Sequence, residues 1–395
     1  MIHYKIAQEQ ILSLAKSFGK EKIELDNSLG RVLAEPITAD RDYPPFNRAT
    51  MDGYAIRSSD FNNGIREFEI VEIIYAGQES ISSLEVGQCF KIMTGAAVPE
   101  STDIVIRRED TVENDKKVKI NVESCKSFQN ISRQGEDIAQ QVIACDINSL
   151  ITPPFIAILA ALGKTKVKVE QLPKVAIFTT GDEVVSIDTK DISRVQIRDS
   201  NNHLLKGLLK NWGITPIICE HVKDDKDELY KNLYKALACD IIIINGGVSA
   251  GDADYVPQTL KSLAVKEIFH KVAIRPGRPL WFGALPNGGV VFALPGNPFS
   301  CHVTFELFVK PYLLACFGLE QKPKLQLPLL SEKTKKVKLD EFFPVSFSAN
   351  PLGLNPLPFK SSGDIKASLF ADGLALHPSD SEILGKGSLV TYLPF

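Results

Sequence analysis

The sequence predicts a multidomain α/β plus β protein, in which a central α/β domain with a parallel sheet is joined to β-rich segments. Strand-like and helix-like stretches alternate from Pro173 to Gly318, which is typical of βαβ units. Short strand patterns dominate residues 41–135 and return, separated by proline and glycine, after residue 319. A chain of 395 residues also exceeds what one core usually supports, so several domains are expected.

The first 172 residues are predicted to begin and end in an elongated helical and strand domain that a β-rich domain interrupts. Apolar residues keep helical spacing up to Gly19, at Ala7, Ile11, Ala15 and Phe18. Strand patterns follow at residues 67–74, 89–93, 104–106 and 118–122. Thr152 and two prolines then provide an N-cap and a first turn for a helix at 155–162, and an alternating strand follows at 164–169. We therefore expect residues 1–40 and 136–172 to form one linker domain and residues 41–135 an inserted β-rich domain.

The remaining chain is predicted to form the α/β domain, residues 173–318, and a small C-terminal β domain, residues 319–395. Buried strands are expected at residues 175–181, 214–220, 241–247 and 290–294, with helices at 203–213, 227–238 and 256–264 and from Pro298 onward. In the last domain the strand patterns are 337–339, 344–347 and 388–393.

Composition excludes several classes of protein. The formal charge of −3 and the pI near 6.1 argue against a nucleic-acid or anionic-membrane surface. The seven cysteines are scattered, odd in number and never spaced as CxxC, which disfavours a disulfide framework and a zinc site. Because the first residues are charged and no run of eighteen apolar residues occurs, we expect a cytoplasmic protein without a membrane span.

The most informative segment is Ile241–Asp254, IIIINGGVSAGDAD. An apolar run that ends in glycines fits a strand buried on both faces, and open α/β sheets bind ligands at the carboxyl edge of such strands. Glycines let backbone N–H groups approach an anion, and hydroxyl and carboxylate oxygens suit Mg²⁺; these residues are Gly246, Gly247, Ser249, Gly251, Asp252 and Asp254. A glycine-rich turn with solvated carboxylates is the alternative interpretation.

Three further loops could converge on the same edge. TTGDE (179–183) offers hydroxyls, Gly181 and the acids Asp182 and Glu183, but it also fits a capped turn. RPGRP places Arg275 and Arg278 around a turn, where guanidinium groups could bind an oxyanion or simply be exposed. LPGNP is a stiff turn that could present an amide to a heterocycle or only connect a strand to a helix, through Pro295, Gly296, Asn297 and Pro298.

Weaker signals lie outside these loops. Asp224 could accept hydrogen bonds from a ligand, whereas Asp225 beside it fits a helix cap. In the β-rich region Asp52 and Thr94 each stand beside a glycine at a predicted turn, which alone indicates no more than a turn. Six histidines without ligand spacing, and the lack of GxSxG or Walker motifs, disfavour zinc hydrolases, serine hydrolases and P-loop ATPases.

Taken in order, nine segments resemble the molybdopterin molybdenumtransferase family (MoeA), which is related to the E domain of gephyrin. The segments are PPFNRATMDGYA, MTGAAVP, RQGEDI, TTGDEV, RDSNNHLL, NGGVSAGDADY, IRPGRPLWFG, LPGNPFSC and GDIKASLFADGLALHP. The resemblance implies that residues 173–318 are a molybdopterin-binding domain similar to the single-domain molybdopterin adenylyltransferases (MogA). It also implies a homodimer, with residues 1–40 and 136–172 in dimerisation, and an active site shared between the α/β domain of one subunit and the β-rich domain of the other.

The implied reaction inserts molybdate into adenylylated molybdopterin, releases AMP with the help of Mg²⁺, and leaves molybdenum cofactor. Matching motif positions implies catalytic roles for Asp52, Thr94, Glu183 and Asp254. Asp254 and Asp252 are the expected Mg²⁺ ligands, and the expected substrate-binding residues are Gly181, Asp182, Asp224, Gly246, Gly247, Ser249, Gly251, Arg275, Arg278, Pro295, Gly296, Asn297 and Pro298. Candidate protein partners are a molybdopterin adenylyltransferase and acceptor molybdoenzymes.

This sequence departs from the family pattern at the two arginines, because family members commonly carry lysine where Arg275 and Arg278 stand. Positive charge is kept while the hydrogen-bonding geometry changes. Two other functions stay open at this point. One is the adenylyltransferase reaction, which would need ATP, and the other is a gephyrin-like scaffold that binds the pterin without turnover.

Overall fold

The computed structural model describes residues 1–248, 255–321 and 323–395, and the chain divides into two compact units. The larger unit contains residues 1–34, 148–152 and 167–395, and the smaller unit contains residues 35–147 and 153–166. In the described part of the chain no helix has the length and hydrophobicity needed to cross a membrane.

A six-stranded sheet forms the centre of the larger unit. Its strands, in spatial order, are Ile218–Val222, Val175–Thr180, Ile241–Asn245, Val290–Leu294, Trp281–Ala284 and Lys266–His270. The first four are parallel, but the last two are antiparallel to their neighbours. The prediction of a parallel sheet is therefore wrong at this edge. The residues between Ala284 and Val290 are too few for a crossover helix, so they can only connect antiparallel strands.

Helices cover both faces of this sheet. They are Ser200–Lys210, Lys226–Lys235 with the short 3₁₀ turn Ala236–Ala238, Val256–Ser262, and Pro298–Thr304 continuing through the π-helical Phe305–Val309 into Lys310–Cys316. The four consecutive isoleucines explain the two-sided packing. Ile241 and Ile243 belong to one hydrophobic core, and Ile242 and Ile244 belong to another on the opposite face.

A second sheet in the larger unit contains most of the C-terminal segment. Its strands are Ile274–Arg275, Asp340–Ala349, Gly373–His377, Leu389–Pro394 and Leu325–Pro328, with Leu352–Pro356 paired to Asp340–Ala349. Smaller strand pairs are Lys333–Thr334 with Ile383–Leu384, and Val184–Val185 with Ile197–Arg198. The strand expected at residues 337–339 begins instead at Asp340. Because Arg275 pairs with Glu341 in register, the RPGRP turn is anchored to the C-terminal sheet.

The chain begins with a helix that is shorter than predicted. It spans Tyr4–Leu12 and does not reach Phe18. Phe18 nevertheless packs against the core of the larger unit, so its apolar character reflects tertiary packing instead of helical periodicity. After the helix, strand Lys20–Glu24 pairs with Lys166–Glu170, and Leu25–Asn27 forms a 3₁₀ turn.

The smaller unit contains the predicted β-rich region. Its six-stranded sheet has the order Ile104–Arg107, Gly53–Ile56, Gln88–Ile92, Glu67–Ile74, Lys117–Ile120 and Thr111–Asn114. The remaining elements are helices Ser58–Asn62 and Pro153–Ala161, the 3₁₀ turn Arg108–Asp110, and strand pairs Arg48–Ala49 with Ile131–Ser132 and Ile37–Thr38 with Ile143–Cys145. Apolar residues on the two faces of the sheet form separate cores.

Candidate functional site

A crevice of about 1260 Å³ opens in the larger unit where the parallel strands end. The structure brings the loops TTGDE, RPGRP and LPGNP together around it, with the described start of the fourth loop, residues 246–248. The predicted residues that line it are Gly181, Glu183, Asp224, Gly246, Gly247, Arg275, Arg278, Pro295, Gly296, Asn297 and Pro298. The position agrees with the general rule that open α/β sheets bind ligands beyond the carboxyl ends of their strands.

Some predicted residues are not among those that line the crevice. Asp182 lies beside it, where a side-chain oxygen accepts a hydrogen bond from the backbone N–H of Asp224 at 3.2 Å. Asp225 caps the helix that follows, as expected, by accepting from two backbone N–H groups. The predicted ligands Ser249, Gly251, Asp252 and Asp254 lie outside the described residues.

Two glycines let the backbone pass close to Thr180. Gly246 has a φ of +101°, and a Cβ there would lie 2.6 Å from Thr180 Oγ1. Gly247 has a φ of +65°, and its Cβ would lie 2.7 Å from a methyl carbon of Val256. Only glycine fits both the conformation and the space. Thr180 Oγ1 is buried and has no hydrogen-bond partner among the described residues, so it is available to a ligand or to water.

The floor of the crevice contains a buried polar network that the sequence analysis missed. Asn201 donates from Nδ2 to Asn245 Oδ1 at 2.8 Å and to the Gly296 carbonyl at 2.6 Å. Asn245 in turn donates to the Pro295 carbonyl at 2.7 Å. These bonds hold the LPGNP turn against the end of the central strand and so fix one wall of the crevice.

Asp199 is a second missed residue. It accepts from the Thr179 hydroxyl at 2.6 Å and caps helix Ser200–Lys210 through the backbone N–H of Asn202 at 3.0 Å. A sequence signal was present, because aspartate is a preferred N-cap, but the helix predicted at 203–213 begins three residues earlier, at Ser200. That signal indicates a helix start, and only the fold shows that this start faces the ligand edge.

The two arginines differ in their surroundings. The guanidinium group of Arg275 lies 3.5 Å from Glu341 Oε1, and the other oxygen of Glu341 lies 2.9 Å from Lys333 Nζ. The side chain of Arg275 is 39% exposed, whereas that of Glu341 is 2% exposed. Arg278 is exposed at the crevice. A buried carboxylate therefore orients one cation at the crevice, and the other cation faces solvent.

The C-terminal segment supplies a further wall that was not predicted. The residues concerned are Val337, Leu339, Ser361, Ser362, Gly363 and Ile365. The sequence suggested only short strands here, and the loop that carries the serines has no periodic pattern of its own.

Asp52 and Thr94 lie in the smaller unit and contact each other. Asp52 Oδ1 accepts from Thr94 Oγ1 at 2.6 Å and from Thr94 N at 2.7 Å. These two hydrogen bonds, with a smaller contribution from Arg108, lower the pKa of the Asp52 carboxyl. Asp52 is therefore an ionised acceptor near neutral pH.

The described residues contain part of the donor set that the expected magnesium ion needs. Among the described residues, no group of three His, Cys, Asp or Glu side chains is arranged to hold a metal ion. The described crevice does offer oxygen donors, namely the Glu183 carboxylate and the unpartnered Thr180 hydroxyl. Mg²⁺ is usually held by one or two carboxylates together with substrate phosphates, so this donor set fits part of such a site.

Fold and crevice together define a class of protein: a multidomain α/β protein with a crevice of ligand size at the carboxyl edge of its parallel strands. Residues 2–163 match the MoeA N-terminal region (domain I and II), and residues 176–315 match the probable molybdopterin binding domain.

Similar proteins cover almost the whole chain. A molybdopterin molybdenumtransferase of Synechocystis is 34% identical over 379 residues, which cover 94% of both chains. One from Staphylococcus epidermidis is 33% identical and covers 98% of this chain and 94% of the relative. The crystal structure of the molybdopterin biosynthesis MoeA protein from Pyrococcus horikoshii superimposes with a TM-score of 0.87 at 28% identity over 100% of both chains. The chain belongs to the molybdopterin molybdenumtransferase family and has its multidomain fold.

Proposed function

We propose that this protein inserts molybdate into adenylylated molybdopterin with release of AMP, in a Mg²⁺-dependent reaction. The crevice is the main support for this proposal, because tightly packed glycine backbone and two arginines line it. The chain that forms it belongs to a family of molybdenumtransferases. Such a lining suits a substrate with a phosphate linkage and a molybdate oxyanion.

Roles follow from chemistry at each wall. The backbone N–H of Gly247 would hold a phosphate oxygen, whereas that of Gly246 already donates to the Leu294 carbonyl at 3.0 Å. Arg275 and Arg278 would neutralise molybdate. Asp224 would hold the pterin, and the Asn297 amide would bind a heterocycle of the substrate. When bound, Mg²⁺ would supply charge for the phosphates, held by Asp254 and Asp252 with Glu183 nearby.

Asp52, Thr94, Glu183 and Asp254 remain our proposed catalytic residues. Hydrolysis of the phosphoanhydride needs an oriented water molecule and a group that accepts its proton. Glu183 is the better candidate for this base, because the lowered pKa of Asp52 makes that carboxylate a weak proton acceptor.

The finer organisation belongs to the proposal as well. We propose a cytoplasmic homodimer with the four domains given above, and with a molybdopterin adenylyltransferase and acceptor molybdoenzymes as protein partners. Analytical ultracentrifugation should give twice the mass of one 43.5 kDa chain.

Two other functions make different predictions. An adenylyltransferase would consume ATP with unmodified molybdopterin, and a scaffold would bind the pterin without turnover. Matches that span both the N-terminal region and the α/β domain favour the molybdenumtransferase.

The test is AMP release from adenylylated molybdopterin in the presence of Mg²⁺ and molybdate. We expect molybdate-dependent release by the wild type, its loss in Asp254→Ala, and a KM for molybdate about 10-fold higher in Arg278→Ala, since an oxyanion hydrogen bond to a charged group contributes roughly 1.5–3 kcal/mol. Asp26→Asn, at an exposed position outside the crevice lining, is the matched control. A wild type that releases no AMP, or one that instead consumes ATP, would refute the proposal.

A further inference from the structure

Asn297 stands at the N-cap position of helix Pro298–Thr304 but does not cap it. Its backbone has φ −64° and ψ 127°, and its side chain makes no capping hydrogen bond. The N-caps Asp199 and Asp225 of two other helices in the same unit do accept from their own helices. The amide of Asn297 therefore makes its hydrogen bond outside this helix.

Ser362, in the C-terminal segment, caps this helix through its carbonyl and binds the Asn297 amide through its hydroxyl. Its carbonyl accepts from the N–H groups of Phe299 at 3.1 Å and Ser300 at 3.3 Å, which are first-turn donors of this helix. Its hydroxyl oxygen accepts from Asn297 Nδ2 at 2.8 Å. One residue, 65 positions further along the chain, thus replaces the missing cap and holds the side chain that would have made it.

Gly363, next to Ser362, lies close to the other side of the Asn297 amide. A Cβ on Gly363 would lie 3.4 Å from Asn297 Oδ1, so the amide lies directly against the Ser362–Gly363 backbone. One N–H of Asn297 is used by Ser362, which leaves the second N–H and Oδ1 for a ligand. Both Asn297 and Ser362 line the crevice.

We propose that Ser362 is a positioning residue, which holds the Asn297 amide in place so that its free N–H and Oδ1 recognise the edge of a planar nitrogen heterocycle. The inference rests on the proposed function for the identity of the ligand, but not for the hydrogen bond. Adenylylated molybdopterin carries two such heterocycles, the pterin and the adenine. Both can pair with an amide, and AMP binding distinguishes them.

A double-mutant cycle tests whether Ser362 acts through Asn297. Ser362→Ala should raise the KM for adenylylated molybdopterin about 3- to 10-fold with kcat within about twofold, the range expected for one hydrogen bond. Asn297→Ala should cost at least as much, and the double variant should be no worse than Asn297→Ala alone. Ser362→Thr keeps the hydroxyl and should restore the wild-type KM.

Ser379→Ala is the matched control, because Ser379 belongs to the same C-terminal segment and is exposed, but it is not among the residues that line the crevice. If the increase in KM of the double variant equalled the product of the two single increases, Ser362 would contact the substrate itself. This result would overturn the proposal. The same would follow if Ser379→Ala reproduced the effect of Ser362→Ala.

A readout without turnover separates this inference from the proposed function. In protein labelled with [¹⁵N]asparagine, the side-chain NH₂ signals of Asn297, assigned by their loss in Asn297→Asp, should shift in Ser362→Ala and stay in place in Ser379→Ala. Unshifted signals in Ser362→Ala would refute the positioning role even in an active enzyme, and an inactive wild type would leave this measurement valid. Calorimetric titration with AMP then identifies the ring: weaker AMP binding by Asn297→Ala assigns the amide to adenine, and unchanged binding assigns it to the pterin.

Discussion

At the scale of single residues, the hydroxyl of Thr94 restricts the roles that are open to Asp52. The sequence left Asp52 open to positioning or to proton transfer. In the structure one of its oxygens accepts both hydrogen bonds that Thr94 can offer, from Oγ1 and from the backbone N–H. Hydrogen bonds to the charged form stabilise it, so Asp52 is an acceptor or a ligand and not a proton donor near neutral pH.

Replacing Thr94 should therefore change the acidity of Asp52. In Thr94→Val the largest cause of the lowered pKa is lost and the backbone N–H remains, so we expect the pKa of Asp52 to rise toward its ordinary value of 3.8 without passing it. Carboxyl-carbon NMR titration measures the change. Thr102→Val removes a hydroxyl that donates to Pro99 in the same unit and should leave the titration of Asp52 unaltered. A Thr94 variant that titrates like the wild type would show that the side-chain bond does not form in solution.

At the scale of elements, the sequence predicts strand interiors and glycine turns well. Four isoleucines in a row predicted a strand buried on two faces, which depends on local sequence alone and is confirmed. That the glycines after them let the backbone approach an anion stays a prediction. The network of Asn201 and Asn245 and the cap from Ser362 could not be predicted, because each joins residues at least 44 positions apart. Local propensity contains no information on which loop lies opposite.

Gly246→Ala tests whether the glycine turn is as tight as the geometry requires. The new Cβ would lie 2.6 Å from Thr180 Oγ1 and 2.9 Å from its carbonyl oxygen, at a φ of +101°. We expect a loss of about 1–3 kcal/mol in the free energy of unfolding and a KM for the substrate at least about 10-fold higher. Urea unfolding and steady-state kinetics measure the two effects.

Gly207→Ala provides the contrast within the same unit. Gly207 lies inside helix Ser200–Lys210, and a Cβ there meets nothing within 4 Å. Alanine should stabilise this position by about 0.5–1 kcal/mol, because glycine is a poor helix former, and should leave the KM unchanged. If Gly246→Ala behaved like Gly207→Ala, the loop would be able to move away from Thr180. The proposal that this glycine turn binds phosphate would then be refuted.

At the scale of the whole molecule, the C-terminal segment is integrated into the larger unit. Glu341 lies at the start of a C-terminal strand and pairs in register with Arg275, while Ser362 caps a helix of the α/β region. The strand patterns predicted a small C-terminal β domain, residues 319–395, with little indication of its function. Two independent connections to crevice residues indicate that the segment shapes the ligand site in addition to covering the core.

Two buried histidines of the larger unit, His302 and His377, have a pKa lowered to about 4, so we expect the stability of this unit to fall in acid. His302 lies on helix Pro298–Thr304, its ring contacts Phe395 at a centroid distance of 4.5 Å, and burial, aided by Lys310, lowers its pKa to about 4. A histidine in the unfolded chain has a pKa near 6.5. Between that pH and about 4, His302 therefore binds a proton in the unfolded chain but not in the folded protein. The free energy of unfolding should therefore fall as the pH drops from about 6.5 toward 4.

We expect His302 to contribute a loss of about 1 kcal/mol between pH 7 and pH 5.5, from the 1.36 kcal/mol that corresponds to each pKa unit. Both tryptophans, Trp212 and Trp281, lie in the larger unit, so urea unfolding followed by tryptophan fluorescence reports on the part of the protein that contains His302. His302→Phe keeps the ring contact with Phe395 and should reduce the pH-dependent loss by that amount. His203→Gln, at an exposed position on another helix, should retain the wild-type response. Equal losses in His302→Phe and the wild type would assign the acid sensitivity to other groups and would show that His302 is accessible to protons in the folded state.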